Sequence, residues 1–362
     1  CNDWHTALVP VYLKTLYADR PGFQDIASLY TIHNLAYQGI FDPPLMELAG
    51  LPWELFTWDK LAFWDRFNFM KAGLLYADKL STVSETYAKE IQTEEYGAGM
   101  DGVLTYRAHD LYGIINGIDY QIWNPKTDTL IPTNFSAEDL DGKHTCKHDL
   151  QEEMGLPTWE NAPVFGLISR LSAQKGFDLL EEALPALLAE EEMQVVVLGA
   201  GEKPYQDMLT KLAKQYPDKL AVALKFDNTL AHRIYAGSDA FLMPSHYEPC
   251  GLGQMISLAY GTLPVVRATG GLADTIKEVK SIRSKGNGFV FEDYTPEALH
   301  AAISRAIKCF RAKRDCWDKA VHNAFTSDFS WESSATKYLK VYKEAIKAVR
   351  GETMPERQRM SA

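Results

Sequence analysis

The second half of the chain alternates two hydrophobic patterns. Short, continuous, β-rich runs are separated by stretches in which apolar residues recur every three or four positions. Runs at 164–168, 194–198, 220–224, 240–243, 263–266 and 288–291 read as strands. Helices are predicted over 177–189, 205–215, 231–236, 251–260 and 271–279, and 296–310 begins a helical tail. Strands alternating with helices mark a parallel sheet covered by helices. Six such units are the size of one complete doubly wound domain.

The first half carries the same pattern less completely. Asp3 is placed to cap a helix over 4–17. Residues 28–32, 79–83 and 111–115 read as strands, 85–94 as a helix, and the aromatic-rich 55–76 as a long helical region. Three strands are too few for a stable sheet domain of this type, so its N-terminal part is expected to precede Cys1. Residues 116–155 are polar and weakly periodic, and read as a crossover between domains. Helical spacing returns over 330–349, through Tyr338, Val341, Tyr342, Ala345 and Val349. No solenoid repeat or low-complexity tract interrupts this organisation.

Composition narrows the partners. The 362 residues suit two domains, and 46% hydrophobic content suffices for ordinary cores. With 37 Lys and Arg against 48 Asp and Glu, the net charge is −11. Such a chain is a poor general binder of nucleic acid or anionic membrane, so an anionic substrate requires a local concentration of positive charge. No apolar run approaches the roughly 20 residues of a membrane span. Five scattered cysteines fit a reducing compartment, and the histidines form no ligand pattern, so no metal is expected.

Ligands of open α/β sheets bind beyond the carboxyl ends of the strands. Ser169-Arg170-Leu171-Ser172-Ala173-Gln174-Lys175-Gly176 follows the first strand of the second half and offers a guanidinium and an ammonium from one loop. A diphosphate needs that combination. Pro244-Ser245-His246-Tyr247-Glu248-Pro249-Cys250-Gly251-Leu252-Gly253 opens a predicted helix, whose N-terminal amides suit phosphate. Ala268-Thr269-Gly270-Gly271-Leu272-Ala273-Asp274 is another strand-to-helix turn, where glycines permit close backbone approach. In the first half, Asn2-Asp3-Trp4-His5 and His33-Asn34-Leu35-Ala36-Tyr37-Gln38-Gly39 concentrate polar and aromatic residues. Taken singly, each has a plainer reading: a solvated loop, a helix cap or a tight turn. Asp139-Leu140-Asp141 lies in the polar crossover and reads as solvated surface.

Taken together, these segments, with Thr82-Val83-Ser84 and Asn116-Gly117-Ile118-Asp119, resemble the bacterial glycogen synthase and plastid starch synthase family over nearly the whole chain. The resemblance implies an α/β fold of two Rossmann-like doubly wound domains facing a cleft, the first incomplete: 1–115, 116–328, and a helix over 329–350 returning to the first domain. It implies a retaining glucosyltransferase that moves glucose from ADP-glucose to an α-1,4-glucan, with no metal or other cofactor. Arg170, Lys175, Glu248 and His5 would be the catalytic set. Asn116, Gln174, Phe226, Cys250, Gly251, Leu252, Gly253, Thr269, Gly270 and Gly271 would hold the nucleotide sugar, and His33, Asn34, Tyr37 and Gln38 would face the acceptor. Phe226 stands where the family often stacks an aromatic ring on adenine, and Gly253 where some members carry Thr. The family's Lys-x-Gly-Gly loop would lie upstream of Cys1. The compartment implied is the bacterial cytoplasm, or the plastid stroma in a plant or alga. A related transferase using UDP-glucose or another acceptor, and a non-catalytic glucan-binding protein, are the alternatives. The sequence assigns no oligomeric state.

Overall fold

A computed structural model describes residues 1–351. The chain divides into two compact units, Cys1–Asn116 together with the chain from Glu332 onward, and Gly117–Trp331.

The first unit contains strands β1 (Leu29–Ile32), β2 (Ile40–Phe41), β3 (Ala62–Phe63), β4 (Arg66–Asn68), β5 (Lys79–Thr82) and β6 (Leu111–Gly113). β1, β5 and β6 form a parallel sheet in the order β1-β5-β6, and the short β2, β4 and β3 form an antiparallel one. The second sheet corrects the long helix expected over 55–76. Only Phe69–Tyr76 is α-helical there, capped by the Asn68 side chain, which accepts from Lys71 N. Trp64 and Asp65, at φ 49° and 58°, make the tight turn between β3 and β4. Such turns usually carry Asn-Gly, so Trp-Asp gave no hairpin signal. Lys71 is buried, and its ammonium donates to Ala62 O at 2.7 Å and to Trp58 O, holding the loop in this non-helical form.

Two further expectations change. Asp3 caps no helix; its carboxylate accepts from His33 N at 2.8 Å. The helix expected over 4–17 is a single 3₁₀ turn, Trp4–Thr6, followed by Leu8–Lys14. The polar crossover contains a 13-residue helix, Asp141–Glu153. It was illegible because its buried face includes lysines: Lys143 Nζ donates to Ala236 O, Tyr260 O and Thr262 Oγ1, and Lys147 pairs with Asp239 at 2.8 Å.

The second unit holds β7 (Val164–Ile168), β8 (Gln194–Leu198), β9 (Leu220–Ala223), β10 (Ala240–Met243), β11 (Leu263–Arg267) and β12 (Phe289–Phe291). They form one parallel sheet in the order β12-β11-β10-β7-β8-β9, the order of a Rossmann-type sheet. Helices such as Phe177–Glu190 and Pro296–Ala312 cover it, burying Phe165, Leu184, Val195, Leu263, Phe289 and Ile303 in one core. The chain leaves β7 toward β8 on one side and reaches β10 on the other. The topological switch point, where a crevice opens beyond the strand ends, therefore lies between β7 and β10. The tail helix Trp331–Arg350 belongs to the first unit from Glu332, where Ser334 Oγ donates to Ile115 O at 2.7 Å and Val341 and Ala345 are buried.

Candidate active site

The loop leaving β7 is fixed at both ends. Leu171 is fully buried; its N–H donates to Ala200 O and its carbonyl accepts from Glu202 N, tying the loop to the exit of β8. Gly176 sits at φ 81°, and a Cβ there would lie 2.1 Å from Pro244 O. Glycine thus lets this loop press against the loop leaving β10. The two are zipped by His246 N donating to Gln174 O at 2.9 Å.

This docking brings together residues 73 positions apart in the chain. Lys175 Nζ lies 2.6 Å from Glu248 Oε2, which also accepts from Ser245 Oγ at 3.0 Å. Glu248 is only 7% exposed. A carboxylate so buried is stable because an ammonium and a hydroxyl replace its water. Glu248 Oε1 has no partner among the described residues. Arg170, exposed on the same loop, reaches Gln174 Oε1 at 3.4 Å. Arg170, Lys175, Ser245, Glu248, Leu252 and Gly253 line a cavity of about 250 Å³ at the switch point. Its lining carries two cations and one carboxylate, the local positive excess that an acidic chain needs to receive an anion.

A second cavity, about 430 Å³, shares Ile168, Ser169, Arg170 and Tyr235 with the first. Trp123, Phe226 and Ile256 give it an apolar, aromatic lining. Phe226 is 96% exposed, although aromatic rings are normally covered. A charged compartment thus adjoins a mainly apolar one, the division found in a nucleotide.

The two glycine-rich segments are packed against one another. The helix expected from 251 begins at Gly253 and runs only to Ala259, so the amides of Cys250, Gly251 and Leu252 belong to a loop. Gln254 shapes that loop, its Nε2 donating to Cys250 O and Gly251 O at 3.0 Å each. At Gly270 and Gly271 the close approach is to this same loop. A Cβ at either position would lie 2.0 Å from Glu248 O or Cys250 O, and Gly271 N donates to Glu248 O at 3.1 Å. Thr269, buried, precedes them, and the two glycines pack against the loop that carries Glu248.

The remaining candidates lie in the first unit. His5 is exposed and stacks on Trp4 with ring centroids 4.0 Å apart. His33 Nε2 meets Asn2 Oδ1 at 2.9 Å, and Asn34 Oδ1 accepts from Ala36 N at 3.0 Å. Tyr37 is exposed. Gln38 is buried, donating to Ala98 O and accepting from Asn68 Nδ2, so its side chain braces the loop rather than facing solvent. Asn116 is half-buried at the end of this unit's main segment.

Sequence reading missed Ser245, Tyr235 and Trp123 as lining residues. Ser245 lay inside a quoted motif and could have been found. Trp123 and Tyr235 are far apart in the chain, and nothing local marks them. Among the described residues no His, Cys, Asp or Glu cluster is placed to hold a metal ion, and no helix is long and apolar enough to cross a membrane.

Residues 1–106 match the family described as starch synthase catalytic domain, and 152–322 match glycosyl transferases group 1. The chain is 51% identical to the glycogen synthase of Thermosipho africanus over 345 residues, 95% of this chain and 71% of that protein. It is also 51% identical to that of Thermotoga maritima, over 96% of this chain and 71% of that one. Among solved structures it resembles the catalytic domain of starch synthase IV from Arabidopsis thaliana bound to ADP and acarbose, with TM-score 0.89 and 35% identity over 96% of this chain and 72% of that one. A sucrose-phosphate synthase from Thermosynechococcus elongatus, at TM-score 0.57 and 18% identity over 96% of this chain and 73% of that one, shares the fold. With this identity along nearly its whole length, on a Rossmann-type sheet with a cationic crevice at its switch point, the chain belongs to the glycogen and starch synthases, enzymes of glucosyl transfer.

Proposed function

We propose that this chain uses ADP-glucose as donor and the non-reducing end of an α-1,4-glucan as acceptor, with retention at the anomeric carbon. The observation that carries this reading is the 2.6 Å Lys175–Glu248 pair, which shares a crevice with Arg170 at the switch point. In it Arg170 and Lys175 meet the diphosphate. As the bond from the anomeric carbon to the diphosphate oxygen breaks, charge grows on that oxygen. Fixed cations favour this state over the ground state. Lys175 can meet a phosphate while keeping its carboxylate, because an ammonium has three donors. Gln174 orients the Arg170 fork, and the loop amides of Cys250, Gly251, Leu252 and Gly253 approach the sugar and phosphate. Gly270 and Gly271 pack against that loop, and with Thr269 they are further nucleotide-sugar contacts. Phe226 stacks on adenine in the apolar compartment.

Glu248 Oε1 accepts from a glucose hydroxyl; in the first unit, His5 and Asn116 are the proposed sugar-binding residues and His33, Asn34 and Tyr37 the acceptor-side ones, their loop braced by Gln38. A carboxylate whose other oxygen is held by an ammonium and a hydroxyl suits positioning better than nucleophilic attack. In the resulting same-face route the acceptor hydroxyl oxygen bonds to the anomeric carbon, and its proton passes to the departing phosphate. A trapped glycosyl-Glu248 adduct would sink that route in favour of double displacement.

The reading is tested by transfer of labelled glucose from ADP-glucose into glycogen. Lys175→Ala and Glu248→Ala should each lower kcat about 10²–10³-fold in protein that circular dichroism shows still folded. Equal incorporation from UDP-glucose, or full activity in either variant, overturns the donor assignment or the site.

A further inference from the structure

Beneath the apolar cavity lies a buried polar network that the scheme above does not use. Trp123, which lines the cavity, stacks on His232 with ring centroids 4.1 Å apart and planes 17° from parallel. Its edge meets Tyr235, another lining residue, at 5.5 Å. His232 Nδ1 donates to Asp128 Oδ2 at 2.7 Å, and the same oxygen accepts from Tyr260 Oη at 2.5 Å. Asp128 Oδ1 accepts from Leu130 N at 2.8 Å. Asp128, His232 and Tyr260 are buried, and His232 Nε2 has no partner among the described residues.

A carboxylate, an imidazole and a phenol are an expensive way to fill a core if packing is all that is needed. What they supply is a fixed geometry. A carboxylate can only accept, so Asp128 holds the His232 proton on Nδ1 and sets the plane of the ring. Asp128 belongs to the segment that carries Trp123, in which Trp123 N donates to Asp119 O and Asp128 N to Asn124 O. His232 stands on helix Asn228–Gly237, and Tyr260 follows helix Gly253–Ala259. One carboxylate therefore joins three elements directly behind one cavity wall.

We infer that Trp123 is a binding residue for the nucleobase of the donor, and that Asp128, His232 and Tyr260 are positioning residues that act through it. This rests on the donor-site reading above. His232 presents a flat surface against one face of the indole, so the indole holds its place at the cavity without moving when a base arrives. Such preorganisation acts on affinity rather than on bond breaking.

The test uses the full chain, with ADP titrated by calorimetry and transfer kinetics measured in parallel. Trp123→Leu should weaken ADP binding and raise the KM for ADP-glucose about two- to tenfold, the worth of one aromatic contact. The effect should fall on KM rather than kcat, with glucan binding unchanged and Trp123→Phe restoring most of the affinity. His232→Gln should raise KM by a similar factor, and the double variant should be no worse than Trp123→Leu, since both remove one interaction. The inference is overturned if folded Trp123→Leu binds ADP as the wild type does. It is equally overturned if the two substitutions add fully, or if ADP affinity, glucan affinity and melting all fall together. Should His232→Gln not fold, the Trp123 pair still decides the matter. A wild-type chain that binds no ADP removes the donor-site reading itself, whereas unaltered binding in Trp123→Leu removes only this inference.

Discussion

At the scale of single residues, the site depends on positions where only one side chain fits. Gly176 combines φ 81° with a Cβ position 2.1 Å from a backbone carbonyl, and neither can relax without moving the loop that ends in Lys175. Gly176→Ala should therefore cost about 2–3 kcal/mol in denaturant unfolding and also lower kcat. Gly22→Ala is the control: φ is 88° but nothing lies within 4 Å of the added carbon, so its cost should be the smaller backbone term of about 1 kcal/mol. Equal costs at the two positions would show that the contact with Pro244 plays no part. The importance of Gly176 was legible only as a glycine after a lysine, because the carbonyl it faces comes from a loop some seventy residues on.

At the scale of elements, the most telling departure is helix Asp141–Glu153. Its sequence is polar, and its inner face carries one buried lysine, Lys147, and one half-buried, Lys143. Lys143 is half-buried, its ammonium bonded to the ends of two other elements. Burial disfavours its charged form and pushes its pKa from an ordinary 10.5 down to about 8. Between those values the unfolded chain binds more protons than the folded one, so this residue makes stability rise with pH across that window. The penalty is fully present below about pH 8 and is lifted toward pH 10.5, a change of about 3 kcal/mol. Urea unfolding of wild type and Lys143→Met at several pH values should show their stability difference shifting toward the wild type by that order. A difference flat in pH would mean that the three acceptors hold the ammonium charged throughout. The hairpin in place of the helix expected over 55–76 has a related cause. A buried lysine again satisfies loop carbonyls, and local periodicity carries no trace of that long-range bond.

At the scale of the whole molecule, the second unit has its own six-stranded sheet and continuous core. It also carries the Lys175–Glu248 pair and both lining cavities. Residues 117–331 expressed alone should therefore unfold cooperatively and still bind ADP, though without transferring glucose. Circular dichroism with calorimetric titration checks this. A molten, non-binding product would show that the unit depends on the rest of the chain.

The sequence by itself determined the sheet class, the six strands of the second unit to within a residue or two, and the loops where the charged residues sit. These follow from local physics: continuous apolar runs, helical spacing, and turn residues at strand ends. The family followed too, because seven short motifs kept their order. What only tertiary structure decided was pairing. That Glu248 neutralises Lys175, that Gly270 and Gly271 approach the Glu248 loop, that Gln38 is a brace, and that Trp123 rests on a buried histidine all join segments distant in the chain. Burial and hydrogen bonding between such segments are set by the strand order of the sheet and the docking of its loops, and a residue's neighbours in sequence do not encode them.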